Sequence, residues 1–447
     1  MAQRMNWDKL LSTKRIGRDE NYTDISQPPR SEFTRDYDRI IFSSAFRRLQ
    51  DKTQVFPLAK NDYVRTRLTH SLEVASVGRS LGVLAGDMLK SKEELPDGIT
   101  PQDVGTIVAA ACLAHDIGNP PFGHAGESVI QEWFETNNVF DDIVCAQKND
   151  FLKFEGNAQG FRTLCTLQQA PQKGGLQLTS AVLGAFTKYP RASVDEDSQD
   201  WGISGKKFGF MQSEKDLFAE LSVELCLIQK PNRKAAWYRH PLAFLVEAAD
   251  DICYHVMDIE DGFKAGCIAF DEIVNLHQPW LTHEQRVRAE QIKDKNRRVE
   301  YFRAATIESM IHEIFGSFTN NYDDIMEAQF DRELSARIVR ADEFRSFKKL
   351  ANKKVYKERR VTEIEACGFE VIGGLLTSFT RAIDIKAKTL PHGQNKSRTL
   401  LSLMPVADDL VGLSVYKRLL LATDFISGMT DSFAVELYQR ISGISLP

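Results

Sequence analysis

Apolar residues recur at a spacing near 3.6 along almost the whole chain. In "RDYDRIIFSSAFRRLQ", Tyr37, Ile40, Ile41, Ala45, Phe46 and Leu49 fall near one face. In "LTHSLEVASVGRSLGVLAGDMLK", Leu68, Leu72, Ala75, Leu81 and Leu84 do the same. The pattern returns in "HPLAFLVEAADDICYHVMDIEDGF" and in long amphipathic segments at 284–318, 323–352 and 402–441. A strand alternates its side chains every second residue, so this period cannot give a strand one constant face. There is no run of alternating segments and no Gly-rich turn after a strand, which leaves an all-α fold. Start signals agree: Thr100 is placed to cap a helix, with Pro101 at its first position and Asp103 in its first turn.

The pattern also divides the chain. Residues 1–35 are polar, contain Pro28-Pro29, and read as an N-terminal arm. Residues 36–262 read as a helical core, and 263–447 as further helices packed on it in one continuous domain. Within the latter, 353–400 ("NKKVYKERRV", "PHGQNKSRTL") is basic and broken, an excursion between helices. A formal net charge of -5 gives no general pull toward nucleic acid, so any polyanion site must be local. The seven cysteines include no CxxC pair, and Cys112 and Cys253 sit in apolar helical patterns. They read as reduced core thiols in a reducing compartment. The opening "MAQRMNWDKL" is polar and no apolar run is long enough to span a bilayer, so the expected location is the cytoplasm.

Four side chains of metal-ligand type stand in apolar helical contexts: His70, His115, Asp116 and Asp250. A buried carboxylate is costly unless it is paired or binds a metal. Two imidazoles and two carboxylates would suit Mn, Fe, Co, Ni or Zn and leave positions open for water and a substrate oxygen; Mg takes nitrogen less readily but is abundant. Each residue alone is equally an ordinary core polar group with a local partner. Spacing does not choose between these readings. His124 and Glu127 lie at i, i+3 beyond "IGNPPFG", where the carboxylate could orient and charge the imidazole for proton transfer. Gly118 reads as the sharp turn of that loop and Pro120-Pro121 as its stiffener. Arg67, three residues before His70 and on the same helix face, is the best candidate for an anion contact. Arg47, Arg48, Lys234 and Arg303 are weaker ones. "GKKFG" at 205–209 is basic and Gly-flanked but lacks the P-loop spacing, and carries little weight.

The strings "RLTHSLEV", "AHDIGNPPFGHAGE", "EGNAQGFR" and "HPLAFLVEAADDICYHVMDIED" resemble the HD-superfamily deoxynucleoside triphosphate triphosphohydrolases, the bacterial dGTPase-like proteins. The resemblance is dense from about residue 33 to 262 and looser beyond. It implies an HD-domain helical core with additional C-terminal helices, and hydrolysis of a dNTP to deoxynucleoside and inorganic triphosphate. His70, His115, Asp116 and Asp250 become the ligands of a divalent metal ion (Mn, Mg, Co, Ni or Fe, with Zn admitted). Asp250 is preferred over Asp251 because Asp250, Tyr254 and Asp258 share one helix face. Tyr254 would pack where a ribose 2′-hydroxyl would sit, although on the residues alone it reads as a core tyrosine. Asp258, helped by Gln54, would hold the 3′-hydroxyl. Val55, Asn119 and Arg303 complete the substrate-binding candidates, and His124 with Glu127 forms the catalytic pair. The family also implies a homo-oligomer, dimer-based or hexameric, with a dNTP or single-stranded DNA as effector in some members. Two rival readings keep the nucleotide: an HD-type nucleotidase or phosphodiesterase, and a catalytically silent nucleotide-binding regulator.

Overall fold

The apolar periods of the sequence become helices that wrap around two cores. The computed structural model describes residues 3–17, 30–54, 65–168, 173–193, 202–357, 359–390, 392–405 and 410–444. Among these residues there is no strand longer than an isolated bridge. The helices that position the site are α1 (Glu32–Ile41), α2 (Arg67–Ser91), α3 (Pro101–Ala114), α4 (Gly123–Thr136), α5 (Gly156–Arg162) and α6 (Pro241–Lys264). They are followed by α7 (Lys295–Asn320), α8 (Ala341–Lys354), α9 (Arg359–Ala387), α10 (Val415–Ser427) and α11 (Asp431–Ile441).

Helix α3 begins as its sequence specifies. Thr100 Oγ1 accepts from the Asp103 amide, Asp103 accepts in return from the Thr100 amide, and Pro101 holds the first position. Its interior is apolar all round because α2 and α6 cover it on different sides. Ile107, Val108 and Leu113 have no exposed surface, and burying each is worth about 1.5–3 kcal/mol. Helix α6 starts at Pro241, where His240 Nδ1 accepts from the Leu242 amide.

The larger core runs from Met5 to Val355 and includes α2, α3 and α6. The smaller gathers Phe122, Val129 and Trp133 with Val371, Leu375, Leu420 and Ala434. Helix α4, which follows the His-Asp loop, thus shares its core with α9–α11 and with Phe151, Phe154 and Ala158 that follow it, not with α2 and α3. Three readings need correction. Residues 5–11 are not an arm: Met5, Trp7, Leu10 and Leu11 are buried, and Trp7 Nε1 donates to Tyr322. Their spacing covers only one short turn, too brief to register as a period. Residues 353–400 are not a broken excursion, since α9 occupies most of them. Its basic flanks hid the apolar set Val371, Ile372, Leu375, Leu376 and Phe379 at its centre. The thiols of Cys112, Cys165 and Cys253 are buried, whereas Cys145, Cys226 and Cys367 are exposed; all are free. No described helix is long and apolar enough to cross a membrane.

Candidate metal centre and active site

His70 lies one turn into α2, at the end where Thr66 caps the helix. His115 follows the last residue of α3, and Asp250 lies midway along α6. Packing of these three helices brings their side chains together. Asp250 Oδ1 stands 3.2 Å from His70 Nε2 and 3.4 Å from His115 Nε2, and the imidazole centroids are 5.2 Å apart. One donor atom from each residue lies within 4.8 Å of the other two. His115 Nδ1 stands 2.6 Å from the Cys112 carbonyl and must donate to it, which leaves Nε2 as the lone-pair nitrogen facing the cluster. Two imidazole nitrogens and a carboxylate oxygen this close together are a donor set that fits a divalent ion.

Asp116 is beside this group but turned partly away. Its Oδ1 is 3.5 Å from His115 Nε2 and accepts from Asn119 Nδ2 at 2.5 Å. Its Oδ2 accepts from Arg67 Nη1 at 2.6 Å. Burial opposes the Asp116 charge, but Arg67 and the two histidines outweigh it and hold the carboxyl far below its usual range. Asp250 is likewise held ionised against burial, chiefly by Lys188, whose Nζ donates to Oδ2 at 2.7 Å. The His115 imidazolium is disfavoured by burial, yet Asp116 and Asp250 raise its pKa overall. Of the adjacent acids, Asp250 is the one facing the imidazoles. Asp251 accepts from Ser335 Oγ at 3.4 Å.

The loop from Asp116 to His124 crosses the cluster. Gly118 lies in the turn that follows α3, as expected, and not in a left-handed conformation. A side chain there would put Cβ 2.0 Å from the Gly156 carbonyl oxygen, so glycine is required by the close approach of α5. The left-handed residues of the loop are Phe122 (φ 62°) and Gly123 (φ 59°). Arg67 Nη2 occupies the space where a Gly123 Cβ would stand. His124 opens α4 with its side chain 79% exposed, and its Nδ1 lies 3.0 Å from Glu127 Oε2. Glu127 Oε1 accepts from the Gly156 amide at 2.7 Å. Burial pushes Glu127 up, but His124, Lys207 and that amide bring its pKa below the ordinary value.

A cavity of about 520 Å³ opens over the cluster. His70, His115, Asp116, Asp250, His124, Arg67, Gln54, Asn119 and Tyr254 all line it. Tyr254 stacks on Tyr356 with ring centroids 5.9 Å apart, and burial, then Asp258, push its phenol up to about 12. Asp258 sits behind these rings and accepts from the Tyr356 hydroxyl. Arg303 is not among the lining residues; it pairs with Glu260 at 2.7 Å on the outer side of α6. Val55 lies outside the described residues. The sequence reading missed Lys188, Tyr189, Lys348 and Tyr356 and underweighted Lys206 and Lys207, all of which line the cavity. Only "GKKFG" carried a signal for any of them.

Residues 67–156 match the HD domain family. Over its whole length the chain is similar to the deoxyguanosinetriphosphate triphosphohydrolase-like protein of Synechocystis sp., with 42% identity covering 99% of this chain and 100% of that one. The protein of the same description from Pseudomonas aeruginosa is 38% identical over 99% of this chain and 100% of its own. The deoxyguanosinetriphosphate triphosphohydrolase of Klebsiella pneumoniae is 30% identical over 93% of this chain and 96% of its own. With its helical fold, and with His70 and His115 of its His-His-Asp cluster inside the matched HD segment, the chain belongs to the HD-domain family of deoxyguanosinetriphosphate triphosphohydrolase-like proteins.

Proposed function

We propose that this protein hydrolyses a deoxynucleoside triphosphate, dGTP or several dNTPs, to the deoxynucleoside and inorganic triphosphate. One observation carries the reading: a metal-type donor cluster lies in a cavity also lined by Arg67, Lys188, Lys206, Lys207 and Lys348. A triphosphate is a run of anionic oxygens and calls for that concentration of cations. His70, His115 and Asp250 hold the metal, with Asp116 completing the set, and Mn, Mg, Co, Ni or Fe each satisfy it. A divalent ion held there supplies positive charge against the charge that builds on the phosphoryl oxygens in the transition state.

The chain's own residues do the rest. Arg67 and the lysines bind and orient the phosphates. Water adds at the α-phosphorus, the bond from phosphorus to the 5′ oxygen breaks, and triphosphate leaves intact. His124, its Nδ1 tied to Glu127, gives a proton to the departing 5′ oxygen, and the proton released by the attacking water restores it. Tyr254 closes the face where a ribose 2′-hydroxyl would sit, and Asp258 and Gln54 take the 3′-hydroxyl, with Asn119 nearby. Arg303 is left out of this assignment because of its pairing with Glu260. The catalytic core is residues 36–262, with 263–447 adding Lys348 and Tyr356 to one wall. The protein acts in the cytoplasm as a homo-oligomer, dimer-based or hexameric.

The test is product identity. Metal-loaded protein is incubated with each dNTP singly and in pairs, and the products are separated by anion-exchange chromatography. Deoxynucleoside and triphosphate in equal amounts are expected. Monophosphate with pyrophosphate, or single phosphates, would shift the assignment to a nucleotidase or phosphodiesterase. Binding without turnover in Mn, Mg and Co would make the protein a regulator instead.

A further inference from the structure

We propose that Asp431, the first residue of α11, is a positioning residue that fixes the loop between Asp116 and His124 and the segment carrying Gln54. Its side chain is buried, with the residue 1% exposed. Asp431 Oδ1 accepts from the Phe122 amide at 2.9 Å. Oδ2 accepts from the Thr53 amide at 3.0 Å and from the Thr53 hydroxyl. One carboxylate near the C-terminus thus joins two segments that each carry a residue of the cavity. Phe122 is the residue that most needs this contact. A non-glycine residue keeps a left-handed conformation only where its surroundings impose it, and the Phe122 amide is satisfied by Asp431 alone among the described hydrogen bonds.

A second contact runs in parallel. The buried Lys52 ammonium donates to the Asn119 carbonyl and, at 2.9 Å, to the Ser427 carbonyl at the end of α10. Lys52 in turn accepts at its carbonyl from the Arg67 amide at 3.1 Å, where α2 begins. The α10–α11 turn therefore holds the catalytic loop at Asn119 and at Phe122. Packing alone does not explain two buried ionisable groups at this spot, because apolar residues of similar size would fill the volume but leave the Phe122 and Thr53 amides and the Asn119 and Ser427 carbonyls without these partners. Fixing where His124 stands relative to His115 and Asp116 does explain them. Neither the His70–His115–Asp250 cluster nor Asp116, which is held by Arg67 and Asn119, hydrogen-bonds to Asp431, so metal binding should survive its loss while turnover should not.

The kinetic part of the test rests on the hydrolytic reading above; the exchange part does not. Full-length Asp431→Ala and Asp431→Asn are compared with wild type for Mn²⁺ affinity by calorimetry, for kcat and KM with a dNTP, and for amide hydrogen exchange. Asp431→Ala is expected to keep Mn²⁺ affinity within twofold, lose at least tenfold in kcat, and exchange faster across 116–128 but not along α6. Asp431→Asn should fall between, because one carbonyl oxygen can serve Phe122 or Thr53 but not both; it also carries the comparison if the alanine variant does not fold. A kcat within twofold of wild type, unchanged exchange across 116–128, or parallel loss of kcat and Mn²⁺ affinity would each overturn the proposal. If wild type releases no triphosphate from any dNTP, the hydrolytic reading fails, and the exchange comparison still decides the role of Asp431.

Discussion

His124 is set apart from the other site histidines by its surroundings. His70 and His115 are buried with their nitrogens directed at Asp250, whereas His124 is open to the cavity and tied only at Nδ1. Its partner Glu127 stays ionised, since His124, Lys207 and the Gly156 amide together outweigh burial. An imidazole held this way keeps Nε2 available to exchange a proton. His124→Ala should therefore lower kcat by roughly 10²–10⁴-fold, with Mn²⁺ affinity and dNTP KM changed only a few-fold. Steady-state kinetics beside calorimetric metal titration would show this, and near-normal turnover would remove His124 from the proton transfer. The sequence made these residues visible because histidine and aspartate are unusual at the ends of apolar helices. Lys188 was invisible for the opposite reason: it lies in a segment without a helical period, and only the fold brings its Nζ to Asp250. Arg303 shows the converse error, an arginine whose carboxylate partner, Glu260, belongs to another helix.

Helices α2 and α3 form the closest pair around the site, and glycine sets their separation. A Cβ at Gly82 would stand 2.8 Å from Gly105 Cα and 2.9 Å from the Val104 carbonyl oxygen. Backbone atoms cannot yield as a flexible side chain can, so a larger residue must part the helices. Gly82→Val should cost about 1–3 kcal/mol of stability, seen as a lower denaturant midpoint. An unchanged midpoint would mean that the two helices tolerate separation. Because His70 and His115 ride on this pair, the variant should also bind Mn²⁺ more weakly. The helices themselves were readable where cap and period agree, as at Thr100–Pro101–Asp103. Helix α9 was not, because its apolar centre is flanked by lysine and arginine runs and interrupted by Gly373-Gly374. Its apolar face is filled by α4, α10 and α11, and that assembly is tertiary information.

Two buried histidines hold distant parts of the chain to the larger core, and they set how the whole molecule responds to acid. His240 lies at the start of α6; its Nε2 donates to the Leu10 carbonyl at 3.0 Å while Nδ1 accepts from the Leu242 amide. His277 bonds Thr306 Oγ1 at 2.7 Å and stacks on Phe302 of α7. Burial lowers their pKa values to about 4 and about 3, so both are neutral in the folded protein at pH 5. In the unfolded chain a histidine titrates near 6.5, so below that pH the unfolded state binds protons that the folded state refuses. Their contribution is therefore complete above pH 6.5 and declines as pH falls toward the folded values. Between pH 7.5 and pH 5 the loss is about 2 kcal/mol for each histidine. Burial raises Asp150 to about 7 and Asp261 to about 6, so these carboxyls also titrate in this range and wild type alone does not isolate the effect. His277→Gln does: the variant should be less stable than wild type at pH 7.5, yet lose about 2 kcal/mol less on going to pH 5. Urea unfolding of the chelator-treated proteins at both pH values would measure the difference. Equal losses in the two proteins would mean that His277 takes up a proton in the folded state, and that the contact between α7 and the core survives its charge.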